Sequence, residues 1–377
     1  MIKITDKSKC SGCHSCYNVC PKKCIAMKED FEGFWYPEVD IDKCIDCGLC
    51  EKRCPILNDM KNDNQPQAYA CYNKNESIRK ESSSGGVFTL LATFIIERGG
   101  IVYGASFNNE FMVEHIKADN VDDLGKLRGS KYVQSRIGNT YAEIKEYLNQ
   151  GKLVYFSGTP CQIDGLIAFL NKKYDNLILQ DIVCHGVPSP KVWNKYLEQF
   201  NIEDDAKISF RDKSTGWDSY SFTIDQQDKF TQLSSQNEYM KVFLKDLCLR
   251  PSCYDCHSKS LHRNSDITLA DFWGINNIYP ELYDNKGTSL VFVNSQKGKE
   301  LFNEIVEDIE YKEVDIKEAS KYNPSSYKSV DIPDRRKEYM ENIFSKEFNK
   351  YSRKFTKLPF VLRTKIFIAR CLNIIRK

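Results

Sequence analysis

Eight of the 16 cysteines in this chain fall into two copies of one pattern, Cys10-x2-Cys13-x2-Cys16-x3-Cys20-Pro21 and Cys44-x2-Cys47-x2-Cys50-x3-Cys54-Pro55. Few sequence features restrict a fold so tightly. Two-residue gaps let three thiolates converge on one face of a cubane, and the fourth cysteine, on a short helix beside its proline, reaches across to the other cluster. The spacing predicts crossed ligation: Cys10, Cys13, Cys16 and Cys54 on one 4Fe-4S centre, and Cys44, Cys47, Cys50 and Cys20 on the second. Gly12 and Gly48 permit the tight winding that brings sulfurs and backbone N–H groups around each cluster. Zinc would need four ligands at a time and no doubled run of this kind. Cys24 has no place in the pattern and reads as a buried thiol, or one lying just behind the ligands.

Residues 1–60 resemble the bacterial two-cluster ferredoxin family, matched at all eight ligands and both prolines. With 377 residues the chain exceeds one ordinary domain. The stretch Asp59 to Gln67 (DMKNDNQPQ) is polar and aperiodic and reads as the linker to a larger body. The charge of 54 Lys plus Arg against 52 Asp plus Glu gives no global case for nucleic acid, and 41% hydrophobic residues argues against disorder. The longest apolar run, Val87 to Ile96, has ten residues, short of the roughly 20 that span a bilayer. Met1 to Lys9 lacks the apolar core of a secretory signal, so the expectation is a reducing cytosol in which the cysteines are not disulfides.

After the linker, extended runs at Gln67 to Tyr72, Ile101 to Phe107, Phe111 to Ile116, Leu153 to Ser157 and Leu177 to Cys184 alternate with helical spacing. Helices are expected over Val87 to Arg98, Thr140 to Asn149 and Cys161 to Lys172. The expected fold class is α+β: a ferredoxin-type domain fused to a larger α/β body with a mixed sheet.

Several loops of that body have the chemistry of ligand sites. Ser82-Ser83-Ser84-Gly85-Gly86 precedes an apolar helix, where unpaired N–H groups suit a phosphate, though a capped helix start has the same composition. Gly129-Ser130-Lys131-Tyr132 offers small residues, a cation and an aromatic face; a flavin or nucleotide can use all of these, and a solvated surface lysine is the alternative for Lys131. Ser157-Gly158-Thr159-Pro160-Cys161 carries a strand through a small-residue loop into a helix, and a second strand ends similarly at Cys184-His185-Gly186. Further on, Cys253 and Cys256 form a lone CxxC. If Cys161 and Cys184 share one sheet edge, they supply the two missing ligands. A third 4Fe-4S cluster, a four-cysteine zinc site and no metal all fit that spacing. Cys248, just before the pair, is a further thiol within reach. His185 beside this set is a candidate proton donor, or a hydrogen-bonding neighbour of a sulfur or carbonyl. His257 and His262 are weaker candidates, Trp217 and Trp273 are candidate walls of a flavin pocket or core, and Cys71 needs no function.

The motifs SSSGGVFTLLA, GSKYVQS, SGTPCQ followed by CHGVPSP, RPSCYDC, and DFWG with Gly287-Thr288-Ser289-Leu290 downstream together resemble the coenzyme F420 hydrogenase/dehydrogenase beta-subunit family, in the form with an N-terminal ferredoxin domain. The resemblance implies an iron-sulfur flavoprotein with FAD and a cluster ligated by Cys161, Cys184, Cys253 and Cys256. It implies that the loops at Ser83, Ser84, Gly85, Gly86 and at Gly129, Ser130, Lys131, Tyr132 face the flavin, with Gly158 and Thr159 nearby. The expected domains are 1–60 (ferredoxin), 67–150 (flavin-binding loops), 151–325 (third cluster) and a tail at 335–377. The expected function is electron transfer between a ferredoxin or other redox protein and a small-molecule acceptor, coenzyme F420-like or otherwise. A relay subunit without its own substrate, and a ferredoxin fused to a zinc-stabilised binding domain, are the alternatives. The pattern is compatible with an oligomer.

From Arg335 to Lys377 there are 13 Lys plus Arg against three Glu. Phe360, Val361, Ile366, Phe367, Leu372 and Ile375 interleave with this charge, and Cys371 sits among them. Such a basic amphipathic helix suits an anionic membrane surface, or packing on its own domain or a partner with its charges solvated.

Overall fold

Two short strands, Ile25–Glu29 (β1) and Trp35–Val39 (β2), pair antiparallel with Ile25 opposite Val39, and the two cysteine runs wrap around this hairpin. In each run the helix that carries the third cysteine, Ser15–Val19 or Leu49–Lys52, begins after a left-handed residue. In the second copy that residue is Gly48, in the first it is His14 at φ 63°, which costs a non-glycine residue roughly 1–2 kcal/mol. Around Ile2, Cys24 and Ile25 the thiols of Cys16, Cys20, Cys44, Cys50 and Cys54 pack as a small core of their own. These observations come from a computed structural model that describes residues 1–58, 60 and 62–357.

The body is built on one eight-stranded mixed sheet: Gln67–Asn73 (β3), Ile101–Phe107 (β4), Val113–Ala118 (β5), Val154–Gly158 (β6), Leu177–Ile182 (β7) and, later in the chain, Ile267–Asp271, Ser289–Val293 and Ile309–Val314. Between these come Lys207–Asp212 (β8), Ser221–Asp225 (β9) and Phe230–Leu233 (β10), a separate antiparallel sheet. The last three strands of the large sheet are thus β11, β12 and β13, and its order is β13-β3-β12-β11-β7-β6-β4-β5. Strands β4, β6, β7 and β11 run parallel, and β12 is antiparallel to both β11 and β3. The carboxyl ends of β3, β4, β6, β7 and β11 therefore share one edge. Segments 67–150 and 151–325 both contribute strands to this sheet.

Apolar helices cover both faces, as buried parallel strands require. Helix Val87–Glu97 places Leu91, Ala92 and Ile95 against Val102, Tyr155 and Val291 on one face. On the other, helices Thr140–Asn149 and Pro160–Leu170 pack Tyr141, Ile144, Ile163 and Leu166 against Val154 and Phe156. A third, aromatic core joins the small sheet to helices Pro190–Leu197 and Glu238–Leu244, around Trp193, Phe210 and Tyr239.

Part of the basic tail belongs to that core. Helices Arg336–Asn342 and Phe348–Thr356 bury Tyr339, Met340, Phe348, Tyr351 and Phe355 in it. Phe360, Val361, Ile366, Phe367, Cys371, Leu372 and Ile375 lie outside the described residues. No helix of the described residues is long and apolar enough to cross a membrane.

The ferredoxin-type unit is seated on the body. Arg336 forks onto Glu32 at 2.9 and 2.6 Å, and the Ser189 hydroxyl donates to the Glu32 carbonyl at 2.5 Å. Helix Pro160–Leu170 meets Cys13 so closely that a methyl on Gly165 would stand 2.7 Å from the Cys13 Cβ and 3.1 Å from its sulfur. The linker is held too, with Asn62 and Asn64 donating to the carbonyls of Arg263 and Asn294.

Candidate iron-sulfur and flavin sites

The structure brings Cys20 of the first run together with three cysteines of the second. Cys20, Cys44, Cys47 and Cys50 line one small cavity, joined by Cys24. Backbone N–H groups hold the thiols: Ile2 onto Cys50 at 3.2 Å, Asp46 onto Cys44 at 3.4 Å and Cys24 onto Cys20 at 3.4 Å. Cys24 is more than a buried bystander, since its sulfur stands 3.3 Å from that of Cys20. Cys47 is exposed. The other set turns inward. Burial pushes the Cys13 thiol up to about 12, with the nearby Cys10 and Cys54 adding to the push, and Cys16 rises for the same reason beside Cys13, Cys10 and Cys54. Such thiols become thiolates when a metal displaces their protons.

The third set is assembled from three separated segments. Strands β6 and β7 are neighbours with Gly158 opposite Asp181, so Cys161 and Cys184 emerge on the same edge. The expected strand to Cys184 stops at Ile182, where the pairing with β11 ends opposite Leu269. A 3-10 turn, Pro251–Asp255, brings Cys253 and then Cys256 opposite them. All four line one cavity of about 240 Å³, together with Ser8, Lys9, Ser11 and Ile56 of the ferredoxin-type unit. Cys248 is fully buried in the aromatic core and lies outside this lining.

The cavity suits an anionic, sulfur-rich occupant much larger than one ion. Its lining carries Lys9, Lys259 and Arg263 against one carboxylate, Asp255, and Asp255 pairs with Lys9 at 2.9 Å. A buried donor on the wall, Arg263 Nε, has no hydrogen-bond partner, and an inorganic sulfide would satisfy it. The Val187 N–H points at the Cys253 sulfur at 3.5 Å, and Lys259 Nζ holds the Cys184 and Ser325 carbonyls. Burial raises all four thiols, Cys253 to about 12. Among the described residues no three His, Cys, Asp or Glu side chains gather tightly enough to hold a lone metal ion.

His185 lines the same cavity. Its Nε2 is 2.6 Å from Asp246 Oδ1 and its Nδ1 is 3.4 Å from Ser325 Oγ. His262 touches the Asn64 carbonyl through Nδ1, and His257 also lines the cavity.

The loops expected to face a flavin meet at the sheet edge. The Ser130 N–H donates to Ser83 Oγ at 2.7 Å, Ser84 Oγ donates to the Thr288 carbonyl at 2.9 Å, and the Gly85 N–H donates to Ser289 Oγ at 3.0 Å. Gly86 leads into helix Val87–Glu97 without a side-chain cap, so first-turn N–H groups have no side-chain acceptor. The Lys131 ammonium donates to the carbonyls of Lys126, Arg128 and Gly129, at the end of helix Leu124–Leu127, while burial pushes it down to about 7. The Tyr132 hydroxyl accepts from Arg211 at 3.2 Å, and Thr159 caps helix Pro160–Leu170 in a reciprocal box with Gln162. Trp217 and Trp273 stack on each other, 4.9 Å apart at 5°, with Trp217 buried in the core.

Sequence reasoning missed the groups that organise these sites. Lys213 binds the Arg79, Ser84 and Lys286 carbonyls beneath the serine-glycine loop. Arg211 forks onto Asp271, which also accepts from the Trp217 ring N–H at 2.9 Å. Arg250 reaches Cys10. The DFWG and RPSCYDC motifs flagged the regions of Asp271 and Arg250; nothing local marked Lys213.

Residues 9–57 match the model of the 4Fe-4S dicluster domain. Residues 68–140 and 151–319 match those of the N-terminal and C-terminal parts, respectively, of the coenzyme F420 hydrogenase/dehydrogenase beta chain. An uncharacterized ferredoxin of Methanocaldococcus jannaschii is 42% identical over 52 residues, 14% of this chain and 66% of that protein. Subunit I 2 of the NADH-quinone oxidoreductase of Geobacter metallireducens is 44% identical over 61 residues, 15% of this chain and 47% of that protein. The coenzyme F420-dependent sulfite reductase of M. jannaschii is 28% identical over 169 residues, 44% of this chain and 26% of that protein. The matches thus span between about a quarter and two thirds of these relatives. A chain of the F420-reducing [NiFe] hydrogenase complex from Methanosarcina barkeri superposes with a TM-score of 0.46 at 18% identity, over 71% of this chain and 91% of that one. With both halves of the beta-subunit pattern in tandem behind a dicluster domain, the chain belongs to the coenzyme F420 hydrogenase/dehydrogenase beta-subunit family.

Proposed function

We propose that the chain is an iron-sulfur flavoprotein oxidoreductase that exchanges electrons between a redox-protein partner and a small organic acceptor, of the coenzyme F420 type or another. One observation carries this reading: four thiols from three segments of the body line one cavity, to which the ferredoxin-type unit adds Ser8, Lys9, Ser11 and Ile56. Bound at these sites, 4Fe-4S clusters supply one-electron carriers and FAD supplies the two-electron exchange with an organic acceptor.

The residues divide the work by position. Cys20, Cys44, Cys47 and Cys50 hold the outermost site, where Cys47 is exposed and Ile45 beside it presents an apolar side chain to a partner. Cys10, Cys13, Cys16 and Cys54 hold the inner site, pressed onto helix Pro160–Leu170 at Gly165. Cys161, Cys184, Cys253 and Cys256 hold the third. Ser83, Ser84, Gly85 and Gly86, with Gly129, Ser130, Lys131 and Tyr132, frame the flavin at the sheet edge that Gly158 and Thr159 share. His185, beside Cys184 on the cavity wall, is the proton donor of this reading, oriented by Asp246 at Nε2 and by Ser325 at Nδ1.

Anaerobic analysis for iron, zinc and flavin tests the reading, which requires about 12 irons, four for each of three clusters, and one flavin per chain. About eight irons with one zinc and no flavin reject it in favour of a ferredoxin fused to a zinc-stabilised domain. The exposed Ile45 beside the exposed Cys47 favours a second reading, a relay subunit that passes electrons between proteins. Purified chain with full cofactor content but no turnover on deazaflavin or nicotinamide acceptors selects that reading.

A further inference from the structure

Five arginines among the described residues are buried: Arg79, Arg211, Arg250, Arg263 and Arg336. Four of them face a carboxylate. Arg79 meets Asp284 at 2.7 Å, Arg211 meets Asp271 at 2.6 Å, Arg336 meets Glu32 at 2.6 Å and Arg263 meets Asp181 at 3.4 Å. Arg250, with no exposed surface at all, is different. Its Nε donates to the Cys10 carbonyl at 2.7 Å, Nη1 to Gln134 Oε1 at 3.1 Å, and Nη2 to the Trp35 carbonyl at 3.0 Å and to the Cys10 sulfur at 3.7 Å. The rings of Tyr36 and Phe34 lie 4.3 and 5.4 Å from its guanidinium carbon.

Of these acceptors only the Cys10 sulfur can carry a negative charge. A guanidinium does not give up its proton in a protein, and burying it away from an anion costs several kcal/mol. The other four arginines meet that cost with Asp or Glu. For Arg250 the compensating charge has to come from thiolates, first that of Cys10, which it touches, and then that of Cys253, which feels its charge. The fit around it is close: a methyl on Gly12 would stand 2.8 Å from Arg250 Nη1. The same residue begins the turn of the third site, since its carbonyl accepts from the Cys253 N–H at 2.9 Å. Its side chain thus grips the inner ferredoxin-type site while its backbone grips the next one.

We propose that Arg250 is the fixed counter-charge of the site formed by Cys10, Cys13, Cys16 and Cys54, and that it makes this site easier to reduce than it would otherwise be. The inference rests on the iron-sulfur reading given above. Reduction adds negative charge, and a permanent cation beside a ligand sulfur in a dry interior favours the reduced form. The outer site has backbone N–H donors on Cys20, Cys44 and Cys50 but shares none of the Arg250 contacts. Arg250 is a positioning residue in this account; it touches no substrate.

The test is an anaerobic potentiometric titration, followed by electron paramagnetic resonance, on the full chain and on Arg250→Gln and Arg250→Lys. Cys16→Ser and Cys47→Ser chains identify which signal belongs to the inner and which to the outer site. We expect Arg250→Gln to keep its iron, and the inner site to become at least tenfold harder to reduce, a shift of 59 mV or more for one electron, while the outer site stays put. Arg250→Lys, which keeps the charge and loses the fork, should stay within a few-fold of the native chain. Unmoved potentials with full iron, or an equal shift of both sites, overturn the proposal while leaving the iron-sulfur reading intact. A fall in Arg250→Lys as large as in Arg250→Gln assigns the effect to shape and also overturns it. If Arg250→Gln fails to load, the Lys variant decides: loading with a near-native inner potential supports the counter-charge, and failure of both makes Arg250 a folding residue and sinks the idea. A native chain without iron defeats the underlying reading instead.

Discussion

Ser130 donates its backbone N–H to the Ser83 hydroxyl across 2.7 Å, fastening together two loops that are 47 residues apart in the chain. The contact brings the serine-glycine loop and the Gly129–Tyr132 loop to one place on the sheet edge, so a single ligand can touch both.

Gly85 gives the most direct handle on that place. A methyl there would stand 2.6 Å from the Cys71 carbonyl oxygen and 2.8 Å from the Ser289 nitrogen, both backbone atoms of strands that cannot move aside cheaply. Gly85→Ala should displace the loop at a stability cost of about 1–3 kcal/mol and release most of the flavin. Flavin and iron per chain, measured on the same sample, check this; unchanged flavin would remove the loop from the site.

Replacing Cys253 and Cys256 together by Ser should lower iron from about 12 to about eight per chain, with the two ferredoxin-type signals still visible by electron paramagnetic resonance. Loss of those two signals, with the third centre kept, would reverse the assignment.

Crossed ligation makes an opposite kind of prediction. Cys54→Ser lies in the second cysteine run, yet it should damage the centre of Cys10, Cys13 and Cys16, whose thiols are its electrostatic neighbours. Damage confined to the centre of Cys44, Cys47 and Cys50, which line a cavity with Cys20, would show the runs to be self-contained.

Lys131 should leave a signature in pH. Its ammonium is pushed down to about 7 by burial, against roughly 10.4 in an unfolded chain. Between those values the unfolded chain binds more protons, so the Lys131 contribution to stability rises with pH, and below about 7 it is flat. Urea unfolding of the native chain and of Lys131→Met, compared from pH 6 to 9, should therefore show a difference that is constant up to neutrality and then grows in favour of the native chain. A difference that shrinks above neutrality would mean that the three carbonyls around the ammonium outweigh its burial.

What the sequence made legible was local. The cysteine spacing is a property of a loop and a short helix, so the two ferredoxin-type sites could be read from 45 consecutive residues, Cys10 to Cys54. Strand ends at Gly158 and near Cys184 were legible because apolar runs stop at small residues. The order of eight strands was not, because the neighbours of β3 are β12 and β13, more than 200 residues away by number. The same distance hid Arg250 and Arg336: each reads as an ordinary basic residue until the fold brings Cys10 or Glu32 to it. Cys248 illustrates the reverse, a thiol placed by spacing beside Cys253 that the helix before it carries into an aromatic core.

Glu32 paired with Arg336, and Cys13 packed onto Gly165, dock the N-terminal unit on the body. A tethered carrier must diffuse to its target and delivers at a spread of separations. A docked one offers the same tunnelling gap in every molecule, so internal transfer in this chain should be a single exponential that thickening the solvent with glycerol does not slow.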